Sequence, residues 1–124
     1  MFSPCLAVNT LYEFVMIAGD SELLEFSVFN SKGEPVDLTG STIKWTLAPY
    51  GQLGNNVCEI DGLLKEPENP GDVPNTFTVD LQTQFTINLE HGKYIQQPVV
   101  IDLTGEQNRL GQGVITILND IPLM

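Results

Sequence analysis

The chain reads as an all-β protein, an antiparallel β-sandwich of seven or eight strands. Three observations carry that reading. Segments whose side chains alternate between apolar and polar recur at spacings of about ten residues. Clusters of Gly, Pro, Asn and Asp separate them, supplying turn chemistry between strands. No segment carries a sustained helical period, and no solenoid-type repeat is present.

Residues 1–12 read as an N-terminal arm with apolar Phe2, Leu6, Val8, Leu11 and Tyr12, interrupted by Pro4 and Asn9-Thr10. Phe14 to Ala18 is a short apolar run that stops at the turn signal Gly19-Asp20. In the next strand Leu24, Phe26 and Val28 alternate with Leu23, Glu25 and Ser27, so the first set faces the core. Ser31-Lys32-Gly33-Glu34 is a hairpin turn in which Gly33 can take positive φ, and Pro35 bars a central-strand amide there. Thr42 to Ala48 is the cleanest strand, with Ile43, Trp45 and Leu47 on one face. Trp45 can bury on the order of 200 Å² and is expected to anchor the core.

Pro49 to Asn75 is rich in glycine, proline and asparagine and reads as a long loop with one short strand at Val57 to Ile60. Two further alternating strands follow, Thr76 to Leu81 and Thr83 to Leu89, with Phe77, Val79 and Leu81 and then Phe85, Ile87 and Leu89 inward. Glu90-His91-Gly92 is a turn. Tyr94 to Leu103 is a strand disturbed at Gln96-Gln97-Pro98, Thr104 to Leu110 is a polar hairpin loop, and Gly113 to Asn119 is the last strand. The organisation is an arm at 1–12, a sandwich domain at 13–121 with its long loop at 49–75, and a tail at 122–124.

At 124 residues the chain is one domain, and folding removes roughly two-thirds of its surface from water. A hydrophobic share of 42% and a charged share of 17% suit a globular protein rather than a disordered one. The net charge of −11 repels phosphate backbones and anionic headgroups, so neither nucleic acid nor a membrane surface is an expected partner. Cys5 and Cys58 form no CxxC pair and are expected as reduced structural thiols, which fits a cytoplasm. Met1 to Ala18 carries no Lys or Arg and is interrupted by Asn9, Thr10 and Glu13, so it is not expected to be a secretory signal. No apolar run approaches the ~20 residues that span a bilayer.

The inventory for catalysis is poor. The single histidine, His91, sits in a glycine-flanked turn with no Ser or Cys motif nearby. No GxSxG, HExxH or phosphate-binding glycine loop occurs. Glu59, Asp61, Glu66, Glu68 and Asp72 gather within the long loop, but their spacing is not that of a calcium loop and Pro67 and Pro70 interrupt them. A solvated acidic loop is the expectation, with no metal, no cofactor and no enzymatic activity.

Certain segments carry a resemblance. Gly19-Asp20, then Gly33-Glu34-Pro35-Val36-Asp37-Leu38-Thr39-Gly40, then Ile43-Lys44-Trp45-Thr46-Leu47 form one ordered series. His91-Gly92-Lys93-Tyr94, Arg109-Leu110-Gly111-Gln112-Gly113-Val114-Ile115-Thr116-Ile117 and Asn119-Asp120-Ile121 form its closing half. Together they resemble the immunoglobulin-like β-sandwich domain of tailed-phage structural proteins, including the N-terminal domain of baseplate upper proteins, over about residues 14–121. The resemblance implies a non-enzymatic virion structural protein in a tail, baseplate, neck or head accessory position, assembled in the host cytoplasm into a multi-copy symmetric array with other virion proteins. Its contacts would come from the arm (Phe2, Leu6, Leu11, Tyr12), the long loop (Tyr50, Leu63, Leu64) and the apolar tail (Ile121, Leu123, Met124). The alternative is a carbohydrate- or cell-surface-binding module stacking sugars on Tyr12, Tyr50 or Tyr94.

Overall fold

The computed structural model describes residues 6–9, 12–52 and 55–118. Phe2, Cys5, Leu11, Ile121, Leu123 and Met124 lie outside the described residues. The elements are β1 (Ala7–Val8), β2 (Phe14–Ile17), β3 (Glu22–Phe29), β4 (Thr42–Pro49), β5 (Cys58–Asp61), β6 (Leu63–Lys65), β7 (Thr76–Leu81), α1 (Thr83–Thr86), β8 (Gly92–Ile101), β9 (Gln107–Arg109) and β10 (Gly113–Leu118). They form two sheets. One has the order β1-β3-β7-β6; the other has the order β2-β10-β8-β4-β5, with β9 also paired to β8. All pairings are antiparallel except β2 with β10, which is parallel.

The alternation read from the sequence sets the core. Leu24, Phe26 and Val28 of β3, Trp45 and Leu47 of β4, Phe77 and Val79 of β7, and Ile115 and Ile117 of β10 are buried between the layers. Phe26 and Phe77 stack across the β3–β7 pair at 5.1 Å.

The chain passes between the sheets repeatedly, and two of the crossings are short enough to close the flanks of the sandwich. β1 pairs with β3 in one layer, and two residues after Tyr12 the chain is already paired with β10 in the other. β5 pairs with β4, and the chain crosses at Gly62 to become β6 beside β7. A Cβ on Gly62 would stand 2.6 Å from Ile43 Cγ2 and 3.0 Å from Phe77 Cδ2, so only glycine lets the strand cut this close to the core. The long loop expected at 49–75 therefore contains two strand segments, β5 and β6, followed by a shorter loop at 66–75. Its strand begins one residue later than expected, at Cys58.

At the heart of the larger sheet Trp45 is fully buried, and its indole N–H donates to Gln96 Oε1 at 2.7 Å. Gln96, also fully buried, donates its Nε2–H to the Tyr12 carbonyl at 3.3 Å. Two residues before Gln96, the Tyr94 hydroxyl donates to the Glu90 carbonyl at 2.7 Å and pins the turn that enters β8.

Two expectations are corrected. Thr83 to Leu89 is not a strand: it holds the one-turn helix α1. Its residues must carry the chain from β7 in one sheet to β8 in the other, and Phe85 and Leu89, spaced four apart, both pack on the core while Ile87 is exposed. Thr86 locks this corner, accepting the Gly19 N–H at 3.0 Å and donating to the Asp20 carbonyl at 2.8 Å. The second correction is that β8 runs unbroken through Pro98. Leu110 N–H donates to the Pro98 carbonyl at 3.0 Å, so the missing proline N–H points to the side shared by β9 and β10. There β10 pairs only with Gly92 to Gln96 and β9 only with Val99 to Ile101, so proline sits at the gap between ladders and no bond is lost.

Candidate functional site

Strand register fixes what the outer face of the larger sheet presents. Inward Tyr94, Gln96, Pro98 and Val100 leave Ile95, Gln97, Val99 and Ile101 of β8 on the outside. Val99 lies between Arg109 of β9 and Lys44 of β4, with Asp61 of β5 beyond, in one cross-strand row. The next row joins Gln97, Thr46 and Glu59, and the next after that Val114, Ile95 and Ala48. Directly opposed side chains in such rows stand about 5 Å apart. The result is a groove of about 400 Å³ floored by Val99, Ile101 and Gln97 and bordered by Lys44, Gln107 and Arg109.

A solvent-facing antiparallel strand ordinarily alternates apolar with polar. β8 does not: Ile95, Val99 and Ile101 make its outer side apolar as well, and Gln97 among them is buried. The outer face of the smaller sheet follows the ordinary rule, with Glu25, Ser27, Thr76, Thr78, Asp80 and Lys65 there and Leu23 and Leu63 exposed singly.

Charge is also distributed unevenly. Of the five basic residues in the chain, Lys44, Lys93 and Arg109 stand on this one face, against Glu59 and Asp61. Lys44 meets Asp61 at 3.1 Å and Glu59 at 3.4 Å, and these carboxylates, Asp61 first, raise its pKa. Arg109 has no carboxylate within ion-pair distance among the described residues. The face is thus close to neutral, with one unengaged guanidinium, on a chain of net charge −11.

The negative charge concentrates at one pole. The loops at 30–41, 66–75 and 102–106 meet there: Leu38 N–H donates to the Pro74 carbonyl, and Gly40 packs on Leu103. They carry Glu34, Asp37, Glu66, Glu68, Asp72, Asp102 and Glu106 against Lys32. The Thr104 hydroxyl, donating to Asp102 Oδ1 at 2.6 Å, does most to hold that carboxyl below its usual range. Thr39 does the same for Asp37, hydroxyl first and then amide. Both stay ionised well below neutral pH. The sequence Asp-Leu-Thr-Gly occurs at 37–40 and again at 102–105, and in each copy the threonine amide and hydroxyl bond the aspartate carboxylate.

The residues expected to make contacts are dispersed. Leu6 and Tyr12 pack against the chain's own core, and the Tyr12 hydroxyl donates to the Glu25 carbonyl at 2.9 Å while accepting the Glu25 N–H at 3.1 Å. Tyr50 is 61% exposed at the opposite pole, and Leu63 and Leu64 are exposed on β6 at the sheet edge. With Tyr12 and Tyr94 engaged internally, Tyr50 alone of the three tyrosines offers an open ring. Sequence reasoning missed Val99 and Arg109. The available signal was the run from Tyr94 to Ile101, which is apolar in both alternating sets.

Groups that carry chemistry lie apart. His91 is exposed in the bend before β8. Cys58 is buried in β5, where loss of solvent pushes its thiol up to about 11, so at neutral pH it is a protonated, weakly nucleophilic thiol. Glu59 and Asp61 are engaged by Lys44, and no set of three His, Cys, Asp or Glu side chains converges on a metal position among the described residues. Among the described residues no helix is long and apolar enough to cross a membrane.

No family model matches the chain, and no curated protein does. Among solved structures it is similar to CopC from Methylosinus trichosporium OB3b, at 14% identity and a TM-score of 0.49, over 96% of this chain and 99% of that one. The virion structural role expected from the sequence is corrected: none of these comparisons supports it. The chain is an all-β protein of two packed sheets.

Proposed function

We propose that the chain is a non-enzymatic binding domain of the immunoglobulin-like kind, which docks an acidic, partly apolar segment of a protein partner on the outer face of its larger sheet. The strand order supports the fold reading: β1-β3-β7-β6 opposite β10-β8-β4-β5 is the order of the two immunoglobulin sheets. So do a buried tryptophan on β4 and a tyrosine that ties the start of β8 to an upstream carbonyl. Gln96, two residues beyond that tyrosine, stands where antibody domains carry a cysteine, and here it accepts a hydrogen bond from the buried Trp45 of the neighbouring strand.

The observation that carries the functional reading is the apolar outer side of β8 within a polar rim. An apolar centre with a hydrogen-bonding border is the anatomy of a protein interface, and Arg109 provides a bidentate donor for a carboxylate. A fluorescein-labelled peptide of alternating Glu and Val is a suitable probe. Its anisotropy should rise with wild-type protein, fall about tenfold or more in apparent affinity with Val99→Asp, and stay unchanged with Leu23→Asp on the opposite sheet. Equal loss in both variants, or none in Val99→Asp, contradicts the proposal.

A further inference from the structure

We infer that the segment seated in this groove is the 66–75 loop of a second copy of the chain, so that copies associate head to tail. The inference rests on the binding face proposed above. The loop reads Glu66-Pro67-Glu68-Asn69-Pro70-Gly71-Asp72-Val73-Pro74-Asn75, and every position from Glu66 to Val73 is exposed. It offers three carboxylates, with Val73 and the prolines as apolar contact surface. The groove offers the complement in the unengaged Arg109 beside Val99 and Ile101, with Lys44 already paired to Glu59 on its border.

Loop and groove cannot satisfy each other within one molecule. The loop joins β6 to β7 in the smaller sheet, and the groove lies on the outer face of the other layer. Contact between them is therefore intermolecular and heterologous, since each copy keeps one free groove and one free loop. A face-to-face pair would leave the strongly acidic pole without a cationic partner; the head-to-tail arrangement covers it. Attraction between an acidic loop and Arg109 weakens as salt rises, because the Debye length is about 10 Å at 0.1 M.

Sedimentation analysis of the full chain at low and high salt tests this, with far-ultraviolet dichroism confirming the fold of each variant. The wild type should grow beyond dimers with concentration at low salt and dissociate at high salt. Arg109→Glu, and separately the triple variant Glu66→Lys, Glu68→Lys, Asp72→Lys, should each weaken association about tenfold or more. Mixed together, they should form 1:1 dimers that grow no further, because the first still has a loop and the second still has a groove. Association of the triple variant as strong as wild type overturns the inference, as does a wild type that stays monomeric at millimolar concentration. In either case a retained effect of Val99→Asp on the Glu-Val peptide leaves the binding face intact and removes only the second copy as its occupant. Self-association untouched by both Val99→Asp and Arg109→Glu would remove the face itself.

Discussion

Trp45→Ala is expected to lower stability by about 3–5 kcal/mol, enough to leave a domain of this size marginal or unfolded. The indole is fully buried between the sheets, so its removal deletes both transfer free energy and packing, and the cavity cannot collapse between two hydrogen-bonded layers. The polar half of the site is separable. Gln96→Leu leaves the indole N–H buried without an acceptor and should cost about 1–3 kcal/mol. In the double variant Trp45→Phe, Gln96→Leu no such orphan exists, so its loss should be smaller than the sum of the two single losses. Urea unfolding of the four proteins measures the cycle. Strict additivity would show that the hydrogen bond does not couple the two residues.

Gly113→Ala should destabilise by about 1–3 kcal/mol or more, a large effect for one methyl group. Gly113 opens β10 opposite Gln96, and a Cβ there would collide with the Tyr12 carbonyl and stand 2.7 Å from Gln96 Nε2. The backbone carbonyl cannot move without breaking the Gln96 bond and shifting Tyr12, whose ring meets the edge of Phe26 at 5.2 Å. Damage should therefore spread to the chain entering β2. Amide exchange at Phe14 to Ile17 should accelerate before that of β3 and β7. A variant as stable as wild type, with β2 protection unchanged, would show that the strand accommodates the methyl.

The strands that one layer of core specifies were legible. β3, β4, β7 and β10 each bury alternate side chains, and that period survives in the sequence whatever their partners are. The changes of sheet were not legible. Around Gly62 the local pattern is that of a loop, and only the third-dimensional neighbours Ile43 and Phe77 reveal why glycine stands there. The segment 83–89 was misread because Phe85, Ile87 and Leu89 satisfy a period of two, while the burial of Phe85 and Leu89 alone follows a helical turn. The binding face depends on register: Arg109 and Lys44 flank Val99 only once β9 and β4 have paired with β8, and nothing in the linear chain places them in one row. Strand alternation says which side chains share a face, not which strands stand side by side.

The most direct measurement of the central claim is methyl nuclear magnetic resonance of the deuterated, methyl-labelled chain during titration with the acidic Glu-Val peptide. Shifts should concentrate on Ile95, Val99, Ile101 and Val114, with Leu23, Leu63 and Leu103 unmoved. Shifts confined to Leu23 and Leu63, or to Leu103 at the acidic pole, would contradict it.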